Sequence, residues 1–156
     1  GLMTTKSFKV ERLVRFRDCD PAGIVFYPRY FEMVNDVVED WFREALGYDF
    51  HHIHVELKLG TPTVHLEVLF KRPSMIGDML TFWLTVADLG NSSVRVRIHA
   101  RCGDELRFSV TPTLVHTDMR RVPPGSLPWP EAVRARMLPF VESEDDADAV
   151  RGWDWS

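Results

Sequence analysis

The chain has almost no cysteine. Cys19 and Cys102 are the two thiols in 156 residues, too few for a disulfide framework and without the spacing of a zinc or redox pair. Long apolar runs are also missing. No stretch approaches the ~20 residues of a bilayer span, and the opening GLMTTKSFKV has no apolar core of an export signal. Read from Met3 as the start, the sequence predicts a cytoplasmic protein with reduced thiols and no membrane attachment. Nor is there a strong charge of either sign, since the net is −4. From Glu142 onward, Glu142, Glu144, Asp145, Asp146, Asp148 and Asp154 are set against Arg151 alone. This segment's −5, set against the whole-chain −4, leaves a body near +1. Such a body argues against broad nucleic-acid binding but allows a local pocket for a small anion. Residues 142–156 read as an acidic, poorly ordered tail on a single domain spanning 1–156.

What is present is ordinary globular material, 45% hydrophobic and 27% charged, enough for one sizeable core. Phe8, Val10, Val14 and Phe16 recur at even spacing and predict a strand over 8–17, interrupted at Arg12. From Pro28 to Leu46 the period becomes helical. Phe31, Val34, Val38, Trp41, Phe42 and Ala45 share a face, Glu39 and Arg43 stand at the supportive i,i+4 spacing, and Gly47 suits the end. Four strands follow, built on Val64–Phe70, Leu80–Val86, Val94–Cys102 and 106–116. Gly103-Asp104 forms a hairpin signal between the last two. Strand, long helix and four antiparallel strands predict an α+β fold, a curved sheet of about five strands wrapped around one helix. Outward Trp83, Leu69 and Val115 point to burial against a second copy.

The chemistry concentrates in FRDCDPAGIVFYPRYF, residues 16–31. Two acids flank Cys19, a Pro21-Ala22-Gly23 turn follows, and a helix starts near Tyr27-Pro28. Asp18 and Asp20 fit a turn on composition alone. Equally, a carboxylate beside a helix N-terminus can attack an acyl carbon or activate a water, while free amides hold the developing oxyanion. Spacing leaves both readings open. The stretch His51-His52-Ile53-His54 lacks further ligands at metal spacing, so no metal site is expected. His65, His99 and His116 read as packed or surface histidines.

The run Asp18-Cys19-Asp20-Pro21-Ala22-Gly23-Ile24-Val25-Phe26-Tyr27-Pro28-Arg29-Tyr30-Phe31 resembles the signature of the 4-hydroxybenzoyl-CoA thioesterase family. Gly60-Thr61-Pro62, Phe70-Lys71-Arg72-Pro73 and Gly77-Asp78 extend the resemblance, which covers about residues 8–118. It implies the hotdog fold, hydrolysis of a thioester of coenzyme A without metal or redox cofactor, and a dimer assembling to a homotetramer. Coenzyme A then arrives as part of the substrate. Asp20 falls on the catalytic acid and Asp18 on a structural position. The Tyr27 backbone N–H would polarise the carbonyl. Gly60, Thr61 and Ser93 would lie near the pantetheine arm, and Phe26, Tyr30 and Phe31 would line an aromatic or medium acyl group such as 4-hydroxybenzoyl. Cys19 is not used as a nucleophile in that pattern. Pro28 stands where many short-chain relatives carry histidine. The 4-hydroxybenzoyl enzymes hold CoA phosphates with a basic turn before the fourth strand, which here reads Gly90-Asn91-Ser92-Ser93. Lys71 and Arg72, or Arg95, Arg97 and Arg101, are the alternative cations. A non-catalytic acyl-CoA-binding module and a thioesterase acting on acyl carrier protein are the competing functions.

Overall fold

The computed structural model describes residues 5–143. Strand β1 spans Phe8–Leu13, helix α1 Tyr27–Asp40, and the strands β3 to β6 span Thr63–Phe70, Met79–Leu89, Ser93–Cys102 and Glu105–Val115. These five strands form one sheet in the order β1-β4-β5-β6-β3, every neighbouring pair antiparallel. The α+β hotdog architecture is therefore present, with α1 sharing one core with β4, β5 and β6. Three two-residue strands, β2 (Leu59–Gly60), β7 (Thr117–Asp118) and β8 (Gly125–Ser126), make a second small sheet. Such short pieces have no periodicity from which a sequence could announce them.

Alternation explains the large sheet. Leu80, Phe82, Leu84 and Val86 on β4, Val94, Val96, Ile98 and Ala100 on β5, and Phe108 and Val110 on β6 are buried under α1. From the helix come Tyr30, Met33, Val34, Val37 and Val38, then Trp41 and Phe42. Full burial of a side chain of this size stabilises by about 1.5–3 kcal/mol. The expected helical face is thus rotated slightly. Phe31 and Ala45 are only half-buried, whereas Tyr30, Met33 and Val37 take the core. Beyond Asp40 the helix widens into a π turn, Trp41–Ala45, in which the Leu46 N–H reaches back to Trp41 O at 3.1 Å. Gly47 ends it at φ 64°, and Arg136 donates to the Leu46 carbonyl at 2.9 Å. A Cβ at position 47 would collide with that guanidinium.

Three expectations are corrected. The first strand stops at Leu13, and Phe16 lies in a 3-10 turn, 83% exposed. Arg43 pairs with Asp40 (3.0 Å) and Glu44 (3.3 Å) rather than with Glu39. On β3 the apolar set is not covered by α1: Val64, Leu66 and Val68 remain 60%, 43% and 36% exposed. Strand β3 is an edge that pairs only with β6 among the described residues. The acidic tail from residue 144 onward lies outside the described residues.

Short helix α2 (Glu131–Met137) returns across the core, and the segment after it runs beside β4. There Glu142 N donates to Val86 O at 2.8 Å, and its nearly buried carboxylate accepts from Thr85 (2.8 Å) and Arg97 (2.9 and 3.3 Å).

Candidate active site

The acidic motif folds as two different carboxylate environments. Asp18 is 2% exposed and accepts from the Arg15 N–H at 2.9 Å. Arg12 lies 3.7 Å from it and 2.6 Å from Asp36 on α1, so this acid ties β1, the 3-10 turn and the helix together. Asp20 is exposed. Its Oδ1 accepts from Ala22 N at 2.9 Å and Ile24 N at 3.3 Å, closing the turn through Pro21 and Gly23, the latter at φ 80°. Oδ2 has no partner among the described residues. The Asp20 carboxylate thus closes a turn with one oxygen and leaves the other open.

That turn is clamped from behind. Val25 N donates to Ser74 O (2.8 Å), Ile76 N to Gly23 O (3.0 Å), and Ser74 N to the buried Tyr30 hydroxyl (3.0 Å). The 73–78 segment is fixed in turn by Arg107, which donates to Pro73 O at 3.1 Å and to Asp78 at 2.7 Å. Burial alone would raise the Asp78 pKa. The Met75 N–H and the Arg107 guanidinium outweigh it and hold the carboxyl below its ordinary value. Arg107 was invisible as a site-positioning residue in the sequence, because its pairing with Asp78 exists only through the sheet.

Helix α1 starts immediately after the turn. Phe26 is its extended cap residue without a capping side chain, and Pro28 occupies the first turn. Pro28 has no N–H, and the Tyr27 N–H makes no hydrogen bond among the described residues. The first amide of the helix is therefore open, at the positive end of the dipole. Tyr27, Tyr30, Phe70, Lys71 and Arg72 line a cleft of about 260 Å³ together with Ile24, the residue bonded to Asp20. Its wall is aromatic: the rings of Tyr27 and Phe70 are 4.6 Å apart at 89°, and those of Tyr30 and Phe70 5.6 Å apart.

The surroundings of Cys19 disfavour a thiolate. Burial first, then the charges of Asp18 and Asp20, raise its thiol above the ordinary value.

Other expected site residues lie elsewhere. Phe26 is 56% exposed and does not line this cleft. Gly60 and Thr61 line a second, larger cavity of about 350 Å³ beside Asn35 and Glu39 of α1, Phe50 and Met119. Ser93 starts β5, and its carbonyl accepts from the buried Trp129 indole at 3.1 Å. Of the alternative cations, Arg97 is taken by Glu142, and Arg101 donates to Asp104 O at 3.1 Å. Arg72 stands 3.7 Å from Glu105. His52 pairs with Glu56 at 2.7 Å, and His65 lies exposed near Glu67. No group of three His, Cys, Asp or Glu able to hold a metal occurs among the described residues. His116 is buried between Tyr48 Oη (2.8 Å from Nε2) and the carbonyls of Leu127 and Pro128, stacked on Trp129. Burial foremost holds its pKa below the ordinary value. It has the contacts of a packed histidine. No helix among the described residues is long and apolar enough to cross a membrane.

Comparison with known proteins places this geometry. The chain is 31% identical over 86 residues to a 1,4-dihydroxy-2-naphthoyl-CoA hydrolase of Acaryochloris marina, a match covering 55% of this chain and 62% of that protein. Its structure superposes on a 1,4-dihydroxy-2-naphthoyl-CoA thioesterase from Synechocystis with a TM-score of 0.76 at 20% identity, over 85% of this chain and 96% of the other. On a 4-hydroxybenzoyl-CoA thioesterase complexed with 4-hydroxybenzoyl-CoA the TM-score is 0.75 at 21% identity, over 84% and 98%. The family profile described as the thioesterase-like superfamily matches residues 14–137, from just after β1 to the end of α2, and the chain belongs to that superfamily.

Proposed function

We propose that the protein is an acyl-CoA thioester hydrolase acting on the CoA thioester of an aromatic hydroxy acid. The observation that carries this reading is the pairing of an open Tyr27 N–H with an open Asp20 Oδ2 on the two sides of one clamped turn. The thioester carbonyl accepts from the Tyr27 N–H, which holds the oxyanion as the acyl carbon becomes tetrahedral. Asp20 Oδ2 takes the proton of the attacking water, or itself attacks to give an anhydride that water then opens. Collapse breaks the C–S bond, the thiolate of CoA regains a proton, and the carboxylic acid leaves. None of these steps asks for a group the chain lacks.

The acyl preference rests on the aromatic wall of Tyr27, Tyr30 and Phe70 and on the aryl-CoA substrates named for the relatives. It is tested with purified protein and a panel of 4-hydroxybenzoyl-, 1,4-dihydroxy-2-naphthoyl- and short aliphatic acyl-CoAs, following free thiol. Highest kcat/KM on an aliphatic acyl would overturn the aromatic assignment. Tight binding without turnover of any thioester would instead favour a non-catalytic acyl-CoA-binding module.

The active unit in this reading is a dimer, extended to a tetramer. The uncovered edge of β3 with exposed Val64, Leu66 and Val68 supports pairing of two copies there. This reading needs a second copy to supply Gly60 and Thr61 to the Asp20 site, because within one chain they line a different cavity from Tyr27.

A further inference from the structure

None of the cations weighed in the sequence lines the larger cavity: Lys71 and Arg72 line the smaller cleft, and Arg97 is taken by Glu142. The small sheet supplies others. Gly60 and Met119 both line the 350 Å³ cavity, and they are close neighbours: a Cβ on Gly60 would stand 3.2 Å from Met119 Sδ. Immediately outside them in sequence come Lys58 on one side and Arg120 and Arg121 on the other. The backbone brings these together. Met119 N donates to Lys58 O at 3.2 Å, Leu59 pairs with Asp118, and Asp118 pairs with Gly125.

Both guanidiniums are exposed and fold back onto the small sheet. Arg120 folds back onto Asp118, with Nε at 3.0 Å from Oδ1 and Nη2 at 3.3 Å from Oδ2, and the same Oδ1 caps the Arg120 N–H at 3.0 Å. Arg121 lies flat across Gly125, a position at which any Cβ would collide with its guanidinium. The Arg120 hydrogen bonds foremost, with the field of Arg121 added, hold the Asp118 carboxyl below its ordinary pKa. Lys58 has φ 56°, a left-handed conformation that glycine adopts at less cost. Among the described residues, neither Lys58 nor Arg121 has an ion-pair partner. Arg120 and Arg121 thus act on one carboxylate, Asp118, and the Lys58 backbone is bonded to Met119, which lines the cavity. Glu39 on α1 is the acid that lines it.

We propose that Lys58, Arg120 and Arg121 form the recognition site for the phosphates of the CoA nucleotide, with the pantetheine arm entering the cavity past Gly60 and Thr61. This rests on the acyl-CoA reading above. Planar guanidiniums suit phosphate because each presents paired N–H donors.

The test is calorimetric titration of adenosine 3′,5′-bisphosphate into the full chain at low ionic strength, where exposed charges are least screened. The wild-type protein binds the bisphosphate. Substituting Lys58→Gln together with Arg121→Gln weakens binding by about tenfold or more, as expected for loss of two charge-assisted contacts. Arg121→Lys keeps part of the affinity. Acyl-CoA and the same acyl thioester of pantetheine are assayed in parallel. The preference for the CoA ester, as a ratio of kcat/KM values, falls by a similar factor in the double variant. Bisphosphate affinity within about twofold of wild type in that variant overturns the proposal, as does a wild-type protein that does not bind the bisphosphate at all. Bisphosphate binding that depends on Lys58 and Arg121, without hydrolysis of any thioester, upholds the phosphate site and defeats the thioesterase reading instead.

Discussion

Asp20→Asn separates the two roles that the Asp20 carboxylate has in the structure. Oδ1 accepts two amide protons, from Ala22 and Ile24, and an asparagine carbonyl can accept both. The turn, the backbone bond between Asp20 N and Ile24 O (2.9 Å) and the clamp onto Ser74 and Ile76 therefore survive. Only the charge and the basicity of the second oxygen are lost. If Asp20 is a turn residue alone, the variant keeps its activity. If it attacks or deprotonates water, kcat falls by about 10²–10⁴, a barrier increase of roughly 2.7–5.4 kcal/mol. Stability supplies the control. Asp20→Ala removes both side-chain acceptances at an exposed turn, costing about 1 kcal/mol, which for a domain of this size lowers Tm by roughly 2–4 °C. Asp20→Asn leaves Tm within about 1 °C. The assay is continuous thiol release from saturating aryl-CoA, with thermal unfolding of each variant alongside. An Asp20→Asn protein that turns over within threefold of wild type refutes the catalytic assignment, however the alanine variant behaves.

Two further outcomes are expected. Desolvation foremost, then the charges of Arg97 and Arg101, lower the pKa of buried His99 to about 3, while the unfolded chain binds that proton near pH 6.5. The neutral histidine is thus compatible with full stability above pH 6.5, and stability is lost as pH falls from 6.5 toward 3, by about 1.4 kcal/mol per pH unit at the steepest. Chemical denaturation of wild type and His99→Asn across that range measures it, and parallel curves would show that His99 is not the source. On the β3 edge, Leu66→Glu with Val68→Glu places charge on the exposed apolar face and should convert a dimer to a monomer in sedimentation. A double variant that still sediments as a dimer moves the interface elsewhere.

Much of the architecture was legible in the chain. Strands β4 and β5 show uninterrupted alternation, and the long helix shows a 3.6-residue period, because each buries one face against the other and little else competes. The errors fell where that condition fails. Phe16 keeps the even spacing of β1, but the chain has already turned at Arg15 to bury Asp18. Phe31 satisfies the helical period, yet Tyr30, one position earlier, is drawn inward by the Ser74 amide and the Phe108 ring (4.4 Å). The small sheet was not legible, since its strands have two residues each.

For the candidate site the division has a physical basis. Local sequence determined the Asp20 turn and the proline-led start of α1, because those bonds close within a few residues of chain. Tertiary structure alone decided the rest. It separated Asp18 from Asp20 by burying one and exposing the other, and it brought the Asp78–Arg107 bracket behind the turn. It also set Lys58 beside Arg120 and Arg121, residues some sixty positions apart. Contacts between distant residues leave no period in a sequence, and in this fold they hold the open groups in place.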